Sequence, residues 1–96
     1  MFIVDLTYKV DLDIVDAHLE AHVEYLKEQY RRGVFVASGR KVPRTGGVIL
    51  ARCESQSALA EILALDPFKE NGVAEYAVTE FVPSMTAEGL ELLNEG

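Results

Sequence analysis

His22 and Asp66 are the two residues of this chain whose types and placement best suit the movement of a proton. An imidazole changes charge near neutral pH, and a neighbouring carboxylate fixes which ring nitrogen carries the hydrogen. Together they make a general base. His22 recurs with Val15, Leu19, Leu26 and Tyr30 at steps of three and four, with Val23 beside them, so a helix turns it towards an apolar interior. Asp66 stands before Pro67-Phe68, the pattern of a helix start: the carboxylate accepts from the first free amides and proline takes the first helical position. One carboxylate can combine both tasks, one oxygen capping and the other left for His22. The structural alternative for His22 is a core histidine bonded to backbone, whose removal would cost about 1–3 kcal/mol. In a catalytic role the same substitution should leave folding nearly unchanged.

Other residues could shape such a site. Ser38-Gly39 offers a hydroxyl and a backbone that a ligand can approach closely, or simply a tight turn. Arg40, Lys41 and Arg44 form a basic cluster in an acidic chain, able to attract a carboxylate or phenolate, or to lie solvated in a loop. Phe68 could wall the pocket or belong to the core. His18 lies four residues before His22 and shares its helix face, so a site of two histidines and Asp66 is conceivable. The order His-Leu-Glu-Ala-His is not His-Glu-x-x-His, however, and no metal is expected. Cys53 sits in a strand with no evident base, and there is no Gly-x-Ser-x-Gly, which disfavours covalent catalysis. No nucleotide motif points to a cofactor.

The elements that must position these residues follow from periodicity. Residues 2–9 alternate, with Phe2, Val4, Leu6 and Tyr8 on one side, as a strand does. A helix is expected over 13–32, acidic at its start, basic at its end and followed by Gly33. A strand over 34–38, a loop over 39–47 and a strand over 48–53 come next. Ser55 or Ser57 caps a second helix that ends near Asp66-Pro67. A short helical turn leads to Asn71-Gly72, a last strand runs over 73–82, and the leucines at 90, 92 and 93 suggest a short C-terminal helix.

Strand, helix, strand, strand, helix, strand is an α+β arrangement of ferredoxin-like βαββαβ type, with a four-stranded antiparallel sheet. Val48 and Leu50 against Ile49 and Ala51, and Tyr76 and Val78 against Ala77 and Phe81, make both faces of the sheet apolar. Two helices cover only one face, so a homodimer packed sheet on sheet is expected, with the tail adding to the contact.

Composition bounds the rest. Ninety-six residues with 49% hydrophobic content are enough for one core, hence a single domain over 1–96, with 1–82 as its core and 83–96 as the tail. A net charge of -7 repels polyanions, so nucleic acid is not an expected partner. A lone cysteine suits a reducing compartment. With no secretory pattern at Met1-Phe2-Ile3-Val4-Asp5 and no apolar run of membrane-spanning length, no membrane association and a cytoplasmic location are expected.

The segments Ala21-His22-Val23-Glu24-Tyr25-Leu26, Ser38-Gly39, Gly46-Gly47 and Asp66-Pro67-Phe68 leading to Gly72 resemble the YciI-like (YCII-related) family, over roughly residues 1–82. The resemblance implies a dimeric α+β barrel and a His and Asp pairing in a pocket, which falls on His22 and Asp66. It also implies chemistry of the kind one member performs, dehydrochlorination of a chlorinated hydroxyquinol. The chain departs from many relatives in carrying Arg40 after the glycine of the second strand, where they have proline. The function expected is a small cofactor-independent enzyme of lyase or isomerase type, acting on a small aromatic or quinone-like molecule, with His22 and Asp66 catalytic and Ser38, Gly39, Arg40 and Phe68 binding the substrate. The alternative is a non-catalytic module that binds a small ligand or another protein.

Overall fold

A computed structural model describes residues 1–95. The order is β1 (Phe2–Tyr8), α1 (Leu12–Arg31), β2 (Phe35–Arg40), β3 (Gly46–Ala51), α2 (Gln56–Leu63), α3 (Pro67–Glu70) and β4 (Ala74–Glu80), followed by a 3-10 turn at Glu91–Leu93. The strands form one antiparallel sheet in the order β2-β3-β1-β4. This is the ferredoxin-like α+β arrangement, with the two strands richest in apolar residues at its centre.

Alternation along β1 decides the layering. Phe2, Val4 and Leu6 are buried and face the helices, while Ile3, Asp5 and Thr7 face away. Val15 and Tyr25 of α1, Phe35 of β2, Ile49 and Ala51 of β3, Leu59 and Leu63 of α2, Phe68, Val73 and Ala74 complete the core. The buried stripe of α1 is Val15, His22, Tyr25 and Gln29, turned from the sequence reading towards Tyr25 and Gln29. Leu19 and Leu26 flank it, half-buried, and Tyr30 lies largely outside. A tyrosine can enter a core provided its hydroxyl finds a partner, so it belongs to the apolar face more readily than a purely hydrophobic count suggests. Gln29 is 2% exposed, and its side-chain oxygen has no partner among the described residues.

The hairpin between β2 and β3 is tighter than expected. Gly39 and Arg40 belong to β2 and Gly46-Gly47 to β3, leaving only residues 41–45 as loop. Glycine serves here for close approach: a Cβ on Gly46 would lie 1.8 Å from the backbone oxygen of Leu6. Pairing Gly46 with Thr7 and Gly47 with Leu6 draws the hairpin base against β1. Gly33 has φ 77°, the left-handed conformation expected after α1.

The tail departs from the expected helix. So few residues do not sustain an α-helix alone, and after Gly89, at φ 94°, only the 3-10 turn at Glu91–Leu93 forms. The tail nevertheless returns to the sheet: the Glu95 amide donates to the Pro83 carbonyl, and the Glu95 carboxylate meets the Met1 ammonium at 2.9 Å. Gly96 lies outside the described residues.

The sheet face away from the helices is mixed and not uniformly apolar. Ile3, Val48, Leu50 and Ala77 share it with Asp5, Thr7, Glu75 and Thr79. Lys41 reaches back from the hairpin loop to Asp5 at 2.5 Å and to the Thr7 hydroxyl at 3.2 Å.

Candidate active site

The short helix α3 is built to hold a carboxylate still. Asp66 caps it, with Oδ1 accepting from the Phe68 amide at 2.9 Å and Pro67 occupying the first turn. The cap places Asp66 beneath α1, where it is wholly buried, and brings Oδ1 to 2.7 Å from Nδ1 of His22. The division of labour expected from the sequence is therefore revised. Oδ1 serves both the cap and His22, using its two lone pairs, and Oδ2 accepts from the Tyr76 hydroxyl at 2.5 Å.

An acceptor oxygen facing Nδ1 selects the neutral tautomer with its hydrogen on Nδ1, which leaves the lone pair on Nε2. Phe68 lies flat against the imidazole, with ring centroids 3.8 Å apart and planes 3° from parallel, so the ring is held in orientation as well as in tautomer. Nε2 has no partner among the described residues and is not among the fully enclosed polar atoms. It is the open nitrogen of a ring whose side chain is 10% exposed.

His22 lines a cavity of about 190 Å³ between α1 and the β2–β3 hairpin. An apolar cavity of roughly 150 Å³ accommodates a benzene ring, so the space suits one six-membered ring with substituents. Leu6, Leu19, Leu26 and Ile49 give it an apolar character, and Gly46 and Gly47 keep its sheet side low. Of the residues singled out from the sequence, His22, Ser38, Gly39, Arg40 and Phe68 all line it, while Asp66 stands behind His22. The Ser38 hydroxyl is 2.6 Å from that of Tyr30, tying β2 to α1. The basic cluster is divided: Lys41 is held by Asp5 and Arg44 by Asp16 at 2.6 Å, whereas Arg40 makes no ion pair among the described residues. His18 does not join the site, since no three His, Cys, Asp or Glu side chains converge among the described residues.

The sequence reading missed the second layer. Tyr76 donates to Asp66, and Tyr25 donates to the Ile62 carbonyl at 2.8 Å. The available signal was Tyr76 on the inward side of β4, where a buried phenol requires an acceptor. Burial, then the hydrogen bond to Asp66 and its negative charge, hold the Tyr76 phenol well above its ordinary range. Burial, with the charge of Asp66, does the same to Tyr25. Both therefore act as donors throughout the physiological range.

The sign of the resulting pH dependence is fixed. The unfolded chain ionises these phenols near their ordinary value of about 10, while the folded chain keeps them protonated beyond it. Their contribution to stability is complete below pH 10 and declines as pH rises beyond it. The urea midpoint is expected to fall above pH 10, and to fall less steeply in Tyr76→Phe. An equal decline in both proteins would remove Tyr76 from this explanation.

Comparison with known proteins adds two findings. The family described as YCII-related domain matches residues 1–82. The fold is similar to that of 5-chloro-2-hydroxyhydroquinone dehydrochlorinase (TftG) from Burkholderia phenoliruptrix AC1100, solved in complex with 2,5-dihydroxybenzoquinone, with a TM-score of 0.72 and 17% sequence identity over 86% of this chain and 95% of that one. No curated protein matches this sequence.

Proposed function

The chain belongs to the YCII-related domain family, and from that premise we propose that it is a cofactor-independent enzyme of lyase or isomerase type, in which His22, oriented by Asp66, moves a proton on a small aromatic or quinone-like molecule. The observation that carries this reading is the imidazole itself: Nδ1 is bound to a buried carboxylate, while Nε2 is unpartnered beside an apolar cavity the size of one ring. That arrangement supplies a positioned base beside a largely apolar space. Phe68 walls the site, and Ser38, Gly39 and Arg40 meet the substituents of the ring.

The chemistry balances without a further reactant for a chlorinated trihydroxybenzene. Nε2 takes a hydroxyl proton and returns it to the ring carbon that bears chlorine. A second hydroxyl then loses its proton, its electron pair passes through the ring, and chloride leaves with the bonding pair. One HCl departs and a hydroxyquinone remains. The fold neighbour is a dehydrochlorinase of such a compound, which makes 5-chloro-2-hydroxyhydroquinone the first substrate to try. Chloride release under nitrogen that depends on His22 would support the reading. The absence of both turnover and binding with this compound and with 2,5-dihydroxybenzoquinone would favour a non-catalytic module.

The unit that carries the site is, in this reading, a single domain over 1–96 that pairs with a second copy. Ile3 and Val48, 38% and 40% exposed, lie on the sheet face without helices, and Val82 at the end of the core and Leu92 of the tail are 62% and 67% exposed. Apolar surface placed in this way favours a cover. Sedimentation equilibrium should return twice the mass of the chain, whereas a single-chain mass across the micromolar range would refute the pairing.

A further inference from the structure

We infer that the ligand is a ring acid, bound as an anion with its negative group directed to Arg40; this deepens the proposed function and rests on the cavity being its site. The hairpin that forms one wall carries three basic residues, and two of them are committed. Lys41 is spent on Asp5 and Arg44 on Asp16, both at hydrogen-bond distance. Arg40 alone has no carboxylate partner among the described residues, and it is the one of the three that lines the cavity.

The rest of the lining sharpens the charge balance. It contains no Asp or Glu, and its only other side chain able to carry a positive charge is His22. In a chain of net charge -7, a lining with a guanidinium unpaired among the described residues and no acidic side chain favours an anion at the Arg40 end, with the Asp66 carboxylate set behind His22 at the other. A guanidinium presents its donors in a planar fork that matches a carboxylate or an ionised enol, and an apolar wall strengthens that attraction. The Ser38 hydroxyl, which lines the cavity 2.6 Å from that of Tyr30, can donate to the same group when Tyr30 donates to it. The ring would then lie between the Arg40 side and His22, with the charged substituent at one end and the transferable proton at the other.

The test uses two probes on the full chain. 2,5-Dihydroxybenzoquinone is an anion at neutral pH, and hydroquinone is a neutral ring of similar size. Affinities are measured by titration calorimetry for wild type, Arg40→Gln and Arg40→Lys, with thermal melts to confirm that the variants are folded. Because Arg40 is exposed at the end of β2, Arg40→Gln is expected to weaken the anion about tenfold and leave hydroquinone unchanged. Arg40→Lys, which keeps the charge but not the planar fork, restores part of the loss, and added salt weakens the anion in wild type more than in Arg40→Gln. Anion affinity that is the same in wild type and Arg40→Gln overturns the charge assignment while the cavity remains a ring site. Failure of both probes to bind wild type overturns the cavity reading and this inference with it.

Discussion

Asp66→Ala is expected to lower the free energy of unfolding by about 3–5 kcal/mol, the range for removing one partner of a buried ionic hydrogen-bonded group. The expectation follows from the number of donors that converge on one side chain. The His22 ring, the Phe68 amide and the Tyr76 hydroxyl all point at Asp66, which is 0% exposed. Alanine leaves all three without their side-chain acceptor in the interior. The cap of α3 is lost in the same step, a loss typically worth about 1 kcal/mol and not additive with the rest. Against a usual total of about 5–15 kcal/mol, the domain should be close to its limit. Asp66→Asn separates geometry from charge. Its carbonyl can still accept from Phe68 and His22 while its amide donates to the tyrosine oxygen, so a smaller loss of about 1–2 kcal/mol is expected. Urea unfolding measures both, and a loss under 1 kcal/mol for Asp66→Ala would show that the convergence contributes little.

The second large effect is on rate. His22→Gln should reduce chloride release from 5-chloro-2-hydroxyhydroquinone by about 10²–10⁴-fold, the usual contribution of a positioned general base. Glutamine is chosen because the simpler comparison, whether His22→Ala melts early, does not separate a catalytic from a structural histidine. The His22 side chain is buried, bonded to Asp66 and stacked on Phe68, so truncation costs stability in either role. The expectation that a catalytic His22 could be removed without a cost to folding is corrected by that burial. Glutamine keeps an amide donor within reach of Asp66 but has no basic nitrogen. A folded His22→Gln protein with undiminished turnover would exclude the imidazole as the base.

What could be read from the sequence was local. The inward face of β1, the Asp66-Pro67 cap and Gly33 after α1 each depend on a few adjacent residues, and each stands where periodicity and backbone chemistry placed it. The approach of His22 to Asp66, 44 residues apart, came from combining a helix face with a cap and a family resemblance. What escaped was set by tertiary partners. Tyr76 and Tyr25 find their acceptors 10 and 37 residues away, so nothing in their neighbourhood marks them as more than apolar ring positions. Gly39, Gly46 and Gly47 read as punctuation because glycine ends strands more often than it fills them. Here the nearness of the Leu6 carbonyl to Gly46, visible only once β1 and β3 are paired, explains why the strand runs through it. That Arg40 has no ion pair among the described residues was equally hidden, since Asp5 and Asp16 claim the two neighbouring cations.

The central claim is that Nε2 of His22 is the open, basic end of an imidazole whose other nitrogen is tied to Asp66. Nitrogen-15 NMR of the ring, recorded with and without 2,5-dihydroxybenzoquinone, tests it most directly. The neutral form should carry its hydrogen on Nδ1, and the ligand should shift the Nε2 resonance of His22 while leaving His18 nearly unmoved. A ring protonated at Nε2 in its neutral form, or an Nε2 resonance indifferent to the bound ligand, would contradict the account.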